Sequence, residues 1–220
     1  FRDLTLVSGT IGDYAALVVH KDSPINSMTD LVTAYNSDMS GTAIGGGSVP
    51  GGMDHLVAAM VMQAAGADPT AVKYIPYDTG GPAMAALLSG EIKALSTGFS
   101  EAVDMAKAGE VKIIGVTSDA RVDAFGDAPT MKEQGIDANF VNWRGFFGAP
   151  GLPADKLAAY QDAIAKMYET PEWEAVRARN GWVNIHNPGA DNRAEREWYR
   201  KTSNGGHKGG GGGGGIFLLF

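Results

Sequence analysis

The sequence predicts an α/β fold built on a doubly wound, parallel sheet. Short apolar runs alternate with helical stretches of about ten residues, Gly-rich turns follow the runs, and the helices stop at glycine. Residues 15–20 form the first β-rich run, closed by Asp22-Ser23-Pro24. Ser27 then caps a helix over 28–36. Residues 42–44 lead into the glycine-rich segment 45–52, and a helix over 53–65 follows, stopped by Gly66. The next strand is 72–77, followed by Asp78-Thr79-Gly80-Gly81. Pro82 suits the first turn of a helix running to Leu88, with Gly90 beyond it. A strand over 92–95, the turn Ser96-Thr97-Gly98, a helix over 99–108 and a strand over 111–117 complete the series. Right-handed crossovers place each strand-to-helix loop on one sheet edge.

After Thr117 the pattern changes. A turn over 125–129, one helical turn at 131–134 and a strand over 140–148 precede helices over 153–168 and 171–180. A short strand over 182–185 and a last helix over 193–201 follow. This half has too few strands for a sheet of its own. It needs partners from before Phe1 or borrowed from the first half.

Composition narrows the function. The 220 residues are 44% hydrophobic, enough for one large domain or two small lobes. No run reaches the ~18 apolar residues of a membrane span. The net charge is −7 and the basic residues are scattered, so nucleic acid is not an expected partner. There is no cysteine, which excludes thiolate catalysis and thiolate metal sites. The chain starts at Phe1 without a signal-peptide pattern. Residues 205–220, with glycine throughout 209–215, read as a disordered tail, a tag or a placeholder.

Three loops carry the chemistry. Residues 45–52, 77–81 and 96–98 each lie between a strand end and a helix start. Each offers backbone N–H groups and the positive end of a helix dipole. Three such ends on one sheet edge make an anion site without Lys or Arg. Ser48, Thr79, Ser96 and Thr97 add hydroxyl donors. Glycine-rich turns are also what tight connections use, but three in succession favour a ligand. The phosphate-binding pattern fails because Pro50-Gly51-Gly52 stands where Gly-Lys-Ser would end it. Pro50 likewise breaks a dinucleotide fingerprint and a nucleophile elbow around Ser48.

Asp54 and His55 open the helix after the first loop. Either they cap and pack there, or they orient the loop and touch the ligand, in which case His55 makes binding pH-sensitive. Trp143 and Arg144 could clamp a carboxylate. They could equally be a core ring and a surface ion pair. Met53, Met60 and Met62 read as helix packing.

Five segments then carry a resemblance. They are Val19 to Ile25, Ile44-Gly45-Gly46-Gly47-Ser48-Val49-Pro50-Gly51-Gly52-Met53-Asp54-His55, Tyr74-Ile75-Pro76-Tyr77-Asp78-Thr79-Gly80-Gly81, Asp127-Ala128-Pro129-Thr130-Met131-Lys132-Glu133-Gln134-Gly135 and Asn142-Trp143-Arg144-Gly145. In order and together, they resemble the substrate-binding proteins of tripartite tricarboxylate transporters, the Bug receptors. The resemblance implies a two-lobed Venus-flytrap fold, with residues 1–18 and 118–204 in an N-terminally incomplete first lobe and 19–117 in the second. It implies a periplasmic monomer, exported by a signal peptide that this chain lacks. Such a protein closes on a mono- to tricarboxylate, hands it to a membrane permease, and uses no cofactor and no metal. The implied ligand-binding residues are Gly47, Ser48, Met53, Asp54 and His55, then Tyr77, Asp78, Thr79, Gly80 and Gly81, then Ser96, Thr97 and Gly98, with Trp143 opposite. A two-lobed ligand sensor would share this site. An enzyme would need an acid–base pair, for which Asp54 with His55 or Asp78 is a poor candidate.

Overall fold

One strand, β1 (Thr5–His20), runs 16 residues through the computed structural model, which describes residues 4–188. Six more strands assemble around it: β2 (Ile44–Gly46), β3 (Tyr74–Pro76), β4 (Ala94–Gly98), β5 (Val111–Val116), β6 (Val141–Gly148) and β7 (Val183–Pro188). The helices are α1 (Met28–Ser37), α2 (Met53–Ala64), α3 (Gly80–Leu88), α4 (Phe99–Lys107), α5 (Ala154–Tyr168) and α6 (Pro171–Asn180). The helix expected over 193–201 and the tail at 205–220 lie outside the described residues.

The second half of β1 sits inside a sheet of order β3-β2-β4-β1-β5. Its side chains alternate between two cores, as a strand buried on both faces requires. Ala15, Leu17 and Val19 pack with Met28, Leu31 and Tyr35 of α1 and Val57 and Val61 of α2. Ala16 and Val18 pack with Leu87 of α3 and Phe99 and Val103 of α4. Helices therefore cover both faces, as the alternating pattern predicts. Local signals hold too: the Ser27 hydroxyl caps α1 by accepting from the Asp30 amide at 3.1 Å.

The sheet is mixed rather than wholly parallel. β2 runs parallel to β3 and β4, but β1 is antiparallel to both β4 and β5. Hydrophobic pattern reports burial, and a strand buried on both faces looks the same in either direction. Bounds shift as well. Ser96, Thr97 and Gly98, expected as a turn, are the end of β4, whereas α3 runs from Gly80 to Leu88 with Pro82 in its first turn as expected.

The first half of β1 was not legible as a strand. It pairs antiparallel with β6 from Thr5↔Gly148 to Tyr14↔Val141, and with β7 from Ser8↔Pro188 to Gly12↔Val183. The later half of the chain thus borrows its partner strand from the first half. Two glycines make the close pairing possible. A Cβ on Gly9 would lie 2.6 Å from the Trp143 ring nitrogen, and one on Gly12 would lie 2.5 Å from a Val141 methyl. Gly12→Ala should therefore overpack the junction, at ~1–3 kcal/mol. The expected drop in melting midpoint is ~2–10 °C. Gly126→Ala is the control, because Gly126 has helical backbone (φ −64°) and open space where a Cβ would go. It should leave the midpoint unchanged or raise it slightly.

Candidate functional site

The three glycine-rich connections meet where β2, β3 and β4 give way to α2, α3 and α4. Their backbones are in near contact. A Cβ on Gly47 would lie 2.4 Å from the Gly80 nitrogen, so only glycine lets the first two loops approach. A Cβ on Gly80 would lie 2.6 Å from Glu101 Oε2, which places the start of α4 against the start of α3. One on Gly98 would lie 2.9 Å from Asp13 Oδ2, which brings β1 to the same place.

These approaches enclose a polar pocket of about 170 Å³. Gly47 and Ser48 line it from the loop after β2, Met53 and Asp54 from the first turn of α2, and Gly80 from the start of α3. Gly98 and Glu101 line it from the β4–α4 junction. Asn142 and Arg144 face them from β6, two residues apart and so on one face of that strand. The volume falls below the ~300 Å³ of pockets that take drug-sized ligands, so the site suits a small molecule.

The helix starts are less free than the sequence implies, because the chain brings its own carboxylates to them. Asp54 accepts from the Ser48 hydroxyl and from the backbone N–H groups of Gly47 and Ser48. The Ser48 oxygen in turn accepts from the Asp54 amide at 3.0 Å, and the Tyr74 hydroxyl donates to the Ser48 carbonyl at 2.7 Å. At α4, the Ser100 amide and hydroxyl donate to Asp13 at 3.2 and 2.6 Å. Glu101 accepts from the Thr97 hydroxyl at 2.5 Å while lying over Gly80. Burial pushes the Asp13 carboxyl up to about 6, against the pull of the Ser100 hydrogen bonds and of Arg144, whose Nη2 is 3.7 Å away. Burial also pushes Asp54 up to about 6, with Glu101 adding to the rise and the Ser48 and Gly47 hydrogen bonds opposing it.

Of the residues expected at the site, Gly47, Ser48, Met53, Asp54, Gly80 and Gly98 line the pocket. His55, Tyr77, Asp78, Thr79, Gly81, Ser96, Thr97 and Trp143 lie outside its lining. His55 stacks on Tyr74 with ring centroids 4.6 Å apart and accepts from the Gly51 amide at 3.0 Å. The Tyr77 hydroxyl donates to Glu91 at 2.8 Å. Asp78, Thr79 and Gly81 are exposed, whereas Ser96 and Thr97 are buried in β4. Trp143 packs over Gly9 and Gly145 and edge-on to Phe147, which is the core alternative. Arg144 takes the ion-pair alternative, through Asp13, and still reaches the pocket.

Sequence reasoning missed Asp13, Glu101 and Asn142. A lone Asp within an apolar strand, a Glu in the first turn after a strand, and period-two alternation around Trp143 were the available signals.

Helices cover both faces of a mixed sheet, further strands share its long strand, and a small pocket lies where three helices start, an α/β architecture. The chain belongs to the tripartite tricarboxylate transporter family of receptors, whose family model matches residues 1–195. It spans about half the length of the curated relatives it matches. A UPF0065 protein of Agrobacterium vitis is 27% identical over 156 residues, which is 70% of this chain and 44% of that one. Among solved structures, a TctC solute-binding protein from Polaromonas without ligand is 25% identical at a TM-score of 0.68, over 92% of this chain and 70% of that one. An R. palustris protein solved with adipate is 18% identical at a TM-score of 0.78, over 91% and 68%. The α/β periplasmic-binding-protein fold expected from the sequence is the fold they share.

The Asp54 carboxyl gives a pH prediction. Its folded-state value of about 6 exceeds the ordinary 3.8, so the folded chain holds this proton more tightly than the unfolded one. The Asp54 contribution is favourable below pH ~4, is lost as the pH rises to ~6, and is constant beyond. Asp54→Asn should remove that loss. Denaturant melts should show the variant more stable than the parent at pH 8, by ~3 kcal/mol at most. The gain should vanish at pH 4. An equal difference at both pH values would show that ionising Asp54 costs the fold nothing.

Proposed function

We propose that this chain is the ligand-capturing part of a periplasmic receptor that binds a small organic carboxylate and delivers it to a membrane permease. The observation that carries the reading is Arg144. It reaches, from β6, a small polar pocket walled by three glycine-rich helix starts. A guanidinium there can hold one carboxylate through two parallel hydrogen bonds. Membership of the receptor family supports the transport role, and the adipate in a protein of the same fold supports a carboxylate. In this reading the ligand-binding set is Gly47, Ser48, Met53, Asp54, Gly80 and Gly98 with Arg144. Residues 1–18 with 118–204 and residues 19–117 act as two lobes. The exchange of partners along β1 supports a two-part division but puts the change at Tyr14–Ala15, four residues before the expected boundary, since Thr5 to Tyr14 pair with β6 and β7 and Ala15 to His20 with β4 and β5. Closure of the lobes would bury the ligand between β6 and the three helix starts.

A thermal-shift screen of the full-length protein tests this with adipate, succinate, malate and citrate, and with phosphate as control. A ligand at ~100 times its Kd should stabilise by about 2.7 kcal/mol, a midpoint shift of several degrees. Arg144→Gln should weaken the best carboxylate at least ~10-fold, the loss expected for a charged hydrogen-bonded pair. A carboxylate whose affinity is untouched by that substitution would remove Arg144 from the site. No shift with any carboxylate would remove the receptor reading itself.

A further inference from the structure

Asp13 is fully buried where β1 changes partners, and its two oxygens hold groups from both sides of that change. Oδ1 accepts from the Ser100 amide at 3.2 Å and Oδ2 from the Ser100 hydroxyl at 2.6 Å, both at the start of α4. Oδ2 also faces Arg144 Nη2 of β6 at 3.7 Å. Arg144 is the one cation among the described residues that lines the pocket. The group that would receive a carboxylate is therefore already engaged by a carboxylate of the chain. The engagement is loose: 3.7 Å is beyond hydrogen-bond length, and the Arg144 side chain is 42% exposed.

Few groups decide whether Asp13 stays ionised. Burial opposes its charge, while the Ser100 hydrogen bonds and Arg144 favour it. Glu101, in the first turn of α4, also opposes it. β4 and the described side chains of β7 bring no charge. With all of these in place the carboxyl stands at about 6 rather than 3.8. A ligand carboxylate on Arg144 would draw away the only cation in this set and add a negative charge beside it, and both effects favour the neutral acid. A proton on Oδ2 restores the balance. It can be donated to the Ser100 hydroxyl oxygen, which has lone pairs to accept it.

We infer that Asp13 is a positioning residue that competes with the ligand carboxylate for Arg144, so that capture at Arg144 is coupled to uptake of one proton from solvent by Asp13. This rests on the carboxylate-receptor reading and adds a control to it. Below pH ~6 Asp13 is already neutral, Arg144 is free of it, and affinity does not depend on its titration. Above that pH each captured ligand must bring a proton to Asp13, and affinity falls by about tenfold per pH unit at most.

Calorimetric titration of the full-length protein with adipate, succinate, malate and citrate tests the coupling at pH 7 and pH 8.5, where carboxylic acids are themselves ionised. Repeating each titration in two buffers of different ionisation enthalpy counts the protons taken up. The parent should take up protons and bind at least ~3-fold more weakly at pH 8.5. Asp13→Asn keeps the shape and stays neutral. It should take up fewer protons, flatten the pH profile and bind more tightly than the parent at pH 8.5. Weaker binding by Asp13→Asn at both pH values, with the proton uptake kept, would reduce Asp13 to a structural role and overturn the coupling. Ser100→Ala removes a hydrogen bond that favours the ionised form and lies outside the pocket lining, so it should move the fall in affinity to higher pH. Asp54 lines the pocket and stands at about 6 as well, so Asp54→Asn is the comparison, and it should keep the uptake that Asp13→Asn loses. Binding by the parent without proton uptake, or uptake lost in Asp54→Asn and kept in Asp13→Asn, would overturn the coupling and leave the carboxylate reading standing. Silence from all four acids would overturn the carboxylate reading and the coupling with it.

Discussion

β1 has to satisfy four other strands, and the architecture follows from how it does so. Over Thr5 to Tyr14 its backbone hydrogen bonds go to β6 and β7, and from Ala15 onward they go to β4 and β5. An unpaired strand edge in the interior would leave N–H and C=O groups without partners, so the changeover must happen within a residue or two. Thr117 closes the gap. Its hydroxyl accepts from the Ala15 amide at 2.9 Å and donates to the Phe140 carbonyl at 2.7 Å, tying β1 to the residue before β6. Gly9 and Gly12 let β6 and β7 lie close enough to share one strand.

That changeover also fixes the site. The residue before Tyr14 is Asp13, a fully buried carboxylate at the point where β1 changes partners. It holds the start of α4 through Ser100 and reaches Arg144 on β6. A buried carboxylate is tolerable only with such partners. The strand junction, the orientation of α4 and the placing of Arg144 thus depend on one side chain. Asp54 plays a like part at the first loop, where its hydrogen bonds to Gly47 and Ser48 give a glycine-rich segment a defined shape.

The sequence revealed what is local and left obscure what depends on distant partners. Helix ends were plain from Ser27, Gly66 and Gly90, because capping chemistry acts within a few residues. The convergence of the loops at Gly47, Gly80 and Gly98 was also readable, since alternating strands and helices put such turns on one edge. The first half of β1 was hidden because its glycines answer to Trp143 and Val141, more than 120 positions away. The antiparallel direction of β1 was hidden because burial on both faces carries no mark of direction. At the site, the glycine loops showed donors, while two of the acids that meet the loops, Asp13 and Glu101, come from β1 and α4 and only Asp54 lies next to its loop in the chain. No reading of the loops alone could supply Asp13 or Glu101.

The ion pair of Arg144 with Asp13 sets a condition on any ligand. At 3.7 Å it is a loose contact, and the Arg144 side chain is 42% exposed while that of Asp13 is fully buried. The two partners therefore have unequal freedom: Arg144 can turn toward a bound carboxylate, and Asp13 cannot follow. As it turns, Asp13 loses part of the charge that offsets its burial and keeps only Ser100. A ligand that offers a carboxylate alone must offset that cost as well as the repulsion of Asp54 and Glu101. The balance of the site is set by which groups the fold has already paired, more than by its count of donors.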